Sequence, residues 1–288
     1  MQLKFTMKKP KINIAFTVFF SFIALILTSF LNVNHLKIYE NQSNNFRKFF
    51  PDEHLASLVA EKLNRKITDN VTTNELAGIK GYFEVGPSLV SDLTGIGYLI
   101  GIDSFNCYKN EVTVIPSEIG KLKNLVLLDL CKAFSLKTIP PQIGDLKKLK
   151  KIRLGLTEVS TIPKEIGSLS QLEILWISSN NLTEIPKEIG NLKKLRELDI
   201  HSNKINQIPN EICNLISLTS LDISHCGLKQ LPENIGNLKE LKKLNLFRND
   251  LKQLPKSIAH LNKLEELNVY DNFKLSESYK RYLPKSLK

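Results

Sequence analysis

Tryptophan occurs once in this chain of 288 residues and cysteine four times, and none of these residues sits in a spacing that carries chemistry. The cysteines form no C-x-x-C pair and the histidines no H-x-x-x-H, so no metal site is assigned from the sequence. P-loop, nucleophile-elbow and zinc-protease motifs are absent, which removes the common nucleotide-binding, acyl-transfer and metalloprotease readings. No cofactor-binding or catalytic residue is assigned either. Acid is scarce at the start: residues 1–50 carry Lys4, Lys8, Lys9, Lys11, Lys37, Arg47 and Lys48 against Glu40 alone. That segment holds +6 of the net charge of +11, leaving +5 for the rest. Later lysines such as Lys147, Lys148, Lys193, Lys194 and Lys239 recur at one position of a repeating unit, as a solvated outer surface requires, so no nucleic-acid partner is expected. With 42% apolar and 24% charged residues the chain has material for a core and is not a disordered polymer.

What is present is repetition. LEILWISSNNLTEIPKEIGN is followed by LRELDIHSNKINQIPNEICN, LTSLDISHCGLKQLPENIGN and LKKLNLFRNDLKQLPKSIAH, and Pro163, Pro186, Pro209, Pro232 and Pro255 stand 23 residues apart. Leu172, Leu175 and Ile177 alternate as in a short strand, and the same phase returns at Leu195, Leu198 and Ile200. A connection that always brings the chain back to the same end makes neighbouring strands parallel, and one unit alone cannot bury its apolar edge. Asn180, Asn203, Asn249 and Asn272 fall where the chain leaves the strand, forming a ladder of amides that satisfy backbone groups, with Thr157 and Cys226 as weaker rungs. Proline then ends the turn, as in Ile185-Pro186. The spacing of Ile189 and Leu192 predicts an outer wall of short helical or extended turns. Cys213 and Ala259 replace the glycine of the unit, so that glycine answers a packing preference rather than a backbone demand.

The motif L-x-x-L-x-L-x-x-N-x-L at this period resembles the leucine-rich repeat of bacterial type. The stretch from FPDEHLASLVAEKLNRKITDNVTTNELAGI to VSDLTGIGYLIGIDSF resembles the helical N-terminal cap of internalin-type proteins. The expected fold is α/β: a solenoid with a curved parallel sheet, a short helical or extended convex wall and a helical N-terminal cap. Eight coils begin at Ile102, Leu125, Leu149, Leu172, Leu195, Leu218, Leu241 and Leu264, with one residue inserted near 133–135 and another near 273–274. In the cap, Pro51, Asp52 and Glu53 open a helix with an apolar stripe of Leu55, Leu58, Val59 and Leu63, and Thr72 with Glu75 makes a capping box. Tyr279, Tyr282 and Leu283 are expected to close the far end. The repeat phases place no two of Cys107, Cys131, Cys213 and Cys226 for a disulfide, so four reduced, mostly buried thiols are expected.

Residues 12–31 carry no charge and follow four lysines, a length that at about 1.5 Å per residue matches a bilayer core of about 30 Å. They read as an uncleaved signal anchor that leaves the repeats outside the cytoplasm; a cleaved, atypical signal peptide is the alternative. The chain thus divides into residues 1–31, a polar linker 32–49, the cap 50–101, the repeats 102–275 and a tail 276–288.

The strand positions left free by the template face the concave side. Trp176, with Arg153, Leu156 and Ile174 nearby, makes an aromatic, aliphatic and cationic cluster of the kind that anchors protein interfaces, and a singly exposed aromatic is the bland account beside it. Asp199, His201, Asp222, Phe247 and Tyr270 complete the candidate protein-binding face. Asp199, His201, Asp222, Ser224 and His225 can be drawn as a catalytic or metal constellation, but an open sheet offers no oxyanion hole and no exclusion of water. The resemblance implies binding of a protein ligand by the concave face. A surface or envelope component without a discrete ligand, or an intracellular regulator, are the other readings.

Overall fold

Each coil folds because its inward positions are all large and aliphatic while the positions between them are not. The computed structural model describes residues 43–87 and 90–287. Within these, eight coil strands follow one another: β4 (Ile102–Asn106), β5 (Leu127–Asp129), β6 (Lys151–Arg153), β7 (Ile174–Trp176), β8 (Glu197–Asp199), β9 (Ser220–Asp222), β10 (Lys243–Asn245) and β11 (Glu266–Asn268). All pair in parallel, and the register puts Ile152, Leu175, Leu198, Leu221 and Leu244 in one row, each buried. The convex wall is made of 3₁₀ turns such as Lys187–Asn191, six of them capped by a proline whose fixed φ suits the entry. Pro186 has φ −65° and its carbonyl accepts from Ile189 N at 3.0 Å. The solenoid expected from the repeat is therefore the observed fold.

The glycine slot is a packing demand. A Cβ on Gly190 would lie 2.5 Å from the Glu211 carbonyl oxygen of the next coil, and one on Gly167 2.5 Å from that of Glu188. Where Cys213 stands in the slot, the next coil's 3₁₀ turn shrinks to Ile235–Asn237, three residues in place of five. Lysines at the coil exits do more than face water. Lys193 Nζ donates to Asn214 O at 3.0 Å and Lys147 Nζ to Ser168 O at 3.3 Å, capping carbonyls of the following coil.

The amide ladder forms as expected. Asn203 Oδ1 accepts from Leu182 N at 2.9 Å, and its Nδ2 donates to Ile177 O at 2.9 Å and Ile200 O at 2.8 Å. Thr157 substitutes by donating to Leu154 O, and Cys226 by donating to Ile200 O at 3.3 Å. Ala133 is a third departure, buried at the same position with no side-chain donor at all. Immediately before the ladder runs a column of left-handed residues: Lys109, Lys132, Leu156, Ser179, Ser202, His225, Arg248 and Asp271 have φ between 53° and 61°. None is glycine, so each coil turns off its strand through a conformation that side chains disfavour.

The cap is less helical than its resemblance implied. It comprises β1 (Ser43–Asn45), α1 (Phe46–Phe49), α2 (Glu53–Lys62), β2 (Asn70–Thr72), α3 (Thr73–Ala77) and β3 (Gly81–Glu84). Residues 43–49, expected as polar linker, pair β1 with β2 and bury Phe46 and Phe49; the polar composition hid two aromatics at helical spacing. The α2 helix begins with Asp52 as N-cap, and the capping box of Thr72 and Glu75 is present. The strand β3 pairs in parallel with β4, so the sheet has nine strands and the cap donates the first. Phe83 and Phe105 stack across that junction at 6.2 Å. At the far end Tyr279, Tyr282 and Leu287 pack half-buried against the core, and Leu283 is half-buried as well. The segment 12–31 lies outside the described residues. Among the described residues no helix is long and apolar enough to cross a membrane.

Candidate functional site

The concave face is built from the two outward positions of each strand and the residue just beyond it. Because parallel pairing keeps register, Asp129, Arg153, Trp176, Asp199, Asp222 and Asn245 follow one another across the sheet. Arg153 lies over the Trp176 ring with its guanidinium carbon 4.6 Å from the centroid. Its Nη1 stands 3.5 Å from Asp129 Oδ2, while its Nε is buried without a hydrogen-bond partner. The guanidinium over the indole face makes a cation–π contact.

This pair borders a cavity of about 320 Å³ lined by Glu84, Val85, Pro87, Asn106, Tyr108, Asp129, Cys131, Arg153 and Trp176. The sequence placed Arg153 and Trp176 together correctly. Ile174 precedes Trp176 by two residues and shares its face, beside Lys151 and Glu197 in register. Leu156 is 44% exposed but sits in the left-handed column on the rim, outside the cavity lining. Glu84 was missed because it belongs to β3, a strand outside the repeat; the signal was the alternation of Phe83 and Val85, both buried, with Tyr82 and Glu84. Tyr82 Oη accepts from Asn106 Nδ2 at 2.7 Å, tying the cap strand to the first coil. Both single-residue insertions also surface as phenylalanine, Phe134 and Phe273 being exposed on the strand-exit side.

Further along the sheet the structure brings Asp199, His201 and Asp222 together, their ligand-type atoms all within 4.8 Å of one another. His201 Nδ1 and Asp199 Oδ1 are 2.6 Å apart. This hydrogen bond raises the His201 pKa against the opposing effect of burial, helped by the charges of Asp199 and Asp222. Ser224 Oγ donates to Asp222 Oδ1 at 2.6 Å, so Ser224 is a support for the carboxylate. His225 points elsewhere, packing its ring 5.2 Å from Phe247, and it does not join the cluster. Phe247 also faces the Arg248 guanidinium at 6.0 Å, and Tyr270 is 78% exposed near the last strand. Phe247 and Tyr270 follow β10 and β11 and lie outside the lining of the cavity beside Trp176.

The cysteines are free among the described residues. Burial pushes the Cys107 thiol up to about 12, and burial with the Asp129 charge pushes Cys131 up to about 12, so neither presents a thiolate at neutral pH.

Comparison with known proteins agrees with this architecture. The family model for the leucine-rich repeat region matches residues 90–207, 157–227 and 206–282, together more than half of the chain. Over 74 residues the chain is 31% identical to Internalin J of Listeria monocytogenes, covering 26% of this chain and 8% of that protein. A leucine-rich-repeat protein of Leptospira interrogans superposes with TM-score 0.56 at 29% identity, over 69% of this chain and 56% of the other. The ectodomain of an Arabidopsis thaliana plant membrane receptor kinase, solved in complex with CASPARIAN STRIP INTEGRITY FACTOR 2, gives TM-score 0.60 at 33% identity, over 67% of this chain and 24% of the other. The chain therefore spans only part of each of these relatives. By its repeats, its sheet and the match of the family model, the chain belongs to the leucine-rich-repeat family.

Proposed function

We propose that this chain is a non-enzymatic recognition protein that binds a protein ligand on its concave sheet, with Trp176 and Arg153 as the anchor. The observation that carries this reading is the stacked Arg153–Trp176 pair beside an open cavity. An indole and a guanidinium already pre-stacked lose little freedom on binding, and such pairs dominate interface energies. The Arabidopsis receptor ectodomain, solved with a bound factor, supports the assignment by analogy of fold. We further propose that residues 12–31 direct export and hold the repeats outside the cytoplasm.

The test is a ligand identified by crosslinking to the full chain in mild detergent, followed by affinity measurements. Trp176→Ala is expected to cost about 2 kcal/mol, roughly thirtyfold in affinity. Lys193→Ala, on the convex wall, is expected to leave affinity unchanged. Equal affinities for all three proteins, with unchanged circular dichroism, exclude Trp176 as the anchor. Membrane fractionation with mass spectrometry of the mature N-terminus checks the export reading: a chain beginning near residue 32 shows cleavage, and a purely cytoplasmic chain overturns export.

A further inference from the structure

Two acids on the concave sheet are answered by cations from the neighbouring coil. Asp129 faces Arg153, and Glu266 holds Lys243 at 2.7 Å. Asp199 and Asp222 are different. They stand directly abreast on β8 and β9, one strand spacing of about 4.8 Å apart. Among the described residues neither forms an ion pair with a lysine or arginine, and His201, bonded to Asp199, has a ligand-type atom within 4.8 Å of both. Two carboxylates held side by side repel, and a bound cation removes that repulsion.

Three further features favour a metal ion as that cation. The cluster offers one imidazole and two carboxylates whose ligand-type atoms all lie within 4.8 Å of one another, close enough for the three to share one ion. Residues outside the cluster hold one carboxylate in place: Asn245 Nδ2 donates to Asp222 Oδ2 at 2.8 Å, and Ser224 donates to Asp222 Oδ1 through N at 2.9 Å and Oγ at 2.6 Å. Such outer hydrogen bonds orient metal ligands and fix which lone pairs point inward. Asp199 and Asp222 stand on adjacent strands of a nine-stranded sheet and His201 follows β8 by two residues, so the two carboxylates sit on a rigid frame.

The donor set also selects the ion. An imidazole nitrogen suits zinc, cobalt and nickel, whereas calcium takes six to eight oxygens, more than this cluster provides. Three protein ligands leave at least one coordination position open toward the concave face. We propose that Asp199, His201 and Asp222 form a binding site for a divalent first-row transition-metal ion of the zinc class. This inference concerns the chain by itself and does not depend on the protein-binding reading.

The experiment is isothermal titration of zinc chloride into the full chain, in mild detergent, after chelator treatment and exchange into metal-free buffer. One ion per chain is expected. His201→Ala and Asp222→Asn should each weaken binding by at least about tenfold. His225→Gln, which removes a histidine outside the cluster, should leave it unchanged, and calcium chloride should not compete. No saturable uptake at millimolar zinc, or affinity unaltered in both ligand variants, overturns the proposal. A second measurement covers variants that misfold. Cobalt chloride added to the parent chain should give a visible absorption band and broaden the imidazole resonances of His201, and their persistence unbroadened with cobalt present overturns the proposal equally.

Discussion

The coils and the cap are held by the same kinds of contact, but the coils use each contact many times and the cap uses each once. Asn180, Asn203, Asn249 and Asn272 make the same backbone bonds in four coils. In the cap, Asp52 accepts from Leu55 N at 3.0 Å and Ser91 N at 2.8 Å, an arrangement that no other aspartate among the described residues repeats. Redundancy explains why the ladder tolerates Thr157, Cys226 and even Ala133. A single link in the cap has no such reserve. The difference predicts that equal chemical damage costs more at the cap junction than in the middle of the solenoid.

The largest effect is expected where cap and coils meet. Phe83 is fully buried on β3 and stacks on Phe105, so Phe83→Ala removes a ring at a junction with coil on one side only. A loss of about 4 kcal/mol is expected, with exposure of the apolar end of the first coil. Thermal unfolding and light scattering read both consequences. An unchanged melting temperature without aggregation means that the cap does not depend on this junction.

Next in size is a rung of the ladder. Asn203→Ala strands Leu182 N and the carbonyls of Ile177 and Ile200, all inside the coil stack. The expected cost is about 2 kcal/mol. Asn203→Thr should recover part of it, because Thr157 already fills this role by donating to Leu154 O. If Asn203→Ala melts with the parent chain, water or neighbouring rungs satisfy these groups.

A smaller effect belongs to Asp52. Burial acts to raise its pKa, but the N–H groups of Leu55, Ser91 and Asp92 and the Ser91 hydroxyl outweigh it and hold the carboxyl below its ordinary value. Because the folded-state pKa is depressed, this stabilisation is complete above about pH 4, the range of a free aspartate, and is lost as pH falls through the folded value. Asp52→Asn keeps an acceptor at the start of α2 but cannot titrate, so it should flatten the acid dependence of stability below pH 4. Asp52→Ala should cost about 1 kcal/mol at neutral pH through the lost cap. An Asn variant whose acid profile matches the parent would assign the acid sensitivity to other carboxylates.

The same contrast governs what was legible in the sequence. A contact made in every coil leaves a period, and the strands, the prolines and the amide rungs were placed from the repeat that residues 172–255 show most regularly. Contacts made once leave none. The pairing of β1 with β2, the burial of Phe46 and Phe49 and the contribution of β3 to the sheet all lay outside the repeat. On the concave face, register followed from the period, so the Arg153–Trp176 contact and the Asp199–Asp222 pairing were readable. Glu84 was not, because it enters the cavity from the cap. Side-chain direction was not readable either: His225 follows Ser224 in sequence but turns to Phe247.

One repeated feature nevertheless escaped, and it supplies the smallest prediction, of opposite sign. The left-handed column contains Lys, Leu, Ser, His, Arg and Asp, so a constant backbone demand left no constant residue. Leu156 is its aliphatic member, with φ 58° and 44% of its surface exposed. A left-handed conformation costs an L-residue about 1–2 kcal/mol, while glycine adds about 0.5–1 kcal/mol of unfolded-chain entropy. The two nearly cancel, leaving Leu156→Gly more stable by about 0.5 kcal/mol, which raises the melting temperature by about 1–2 °C. Leu156→Val should act in the other direction, because branching at Cβ makes this backbone region still less accessible. Calorimetry on the three proteins decides between backbone and side chain. Should glycine lower the melting temperature as valine does, the packing of Leu156 on the rim outweighs the strain of the turn, and the column is held by its side chains rather than tolerated in spite of them.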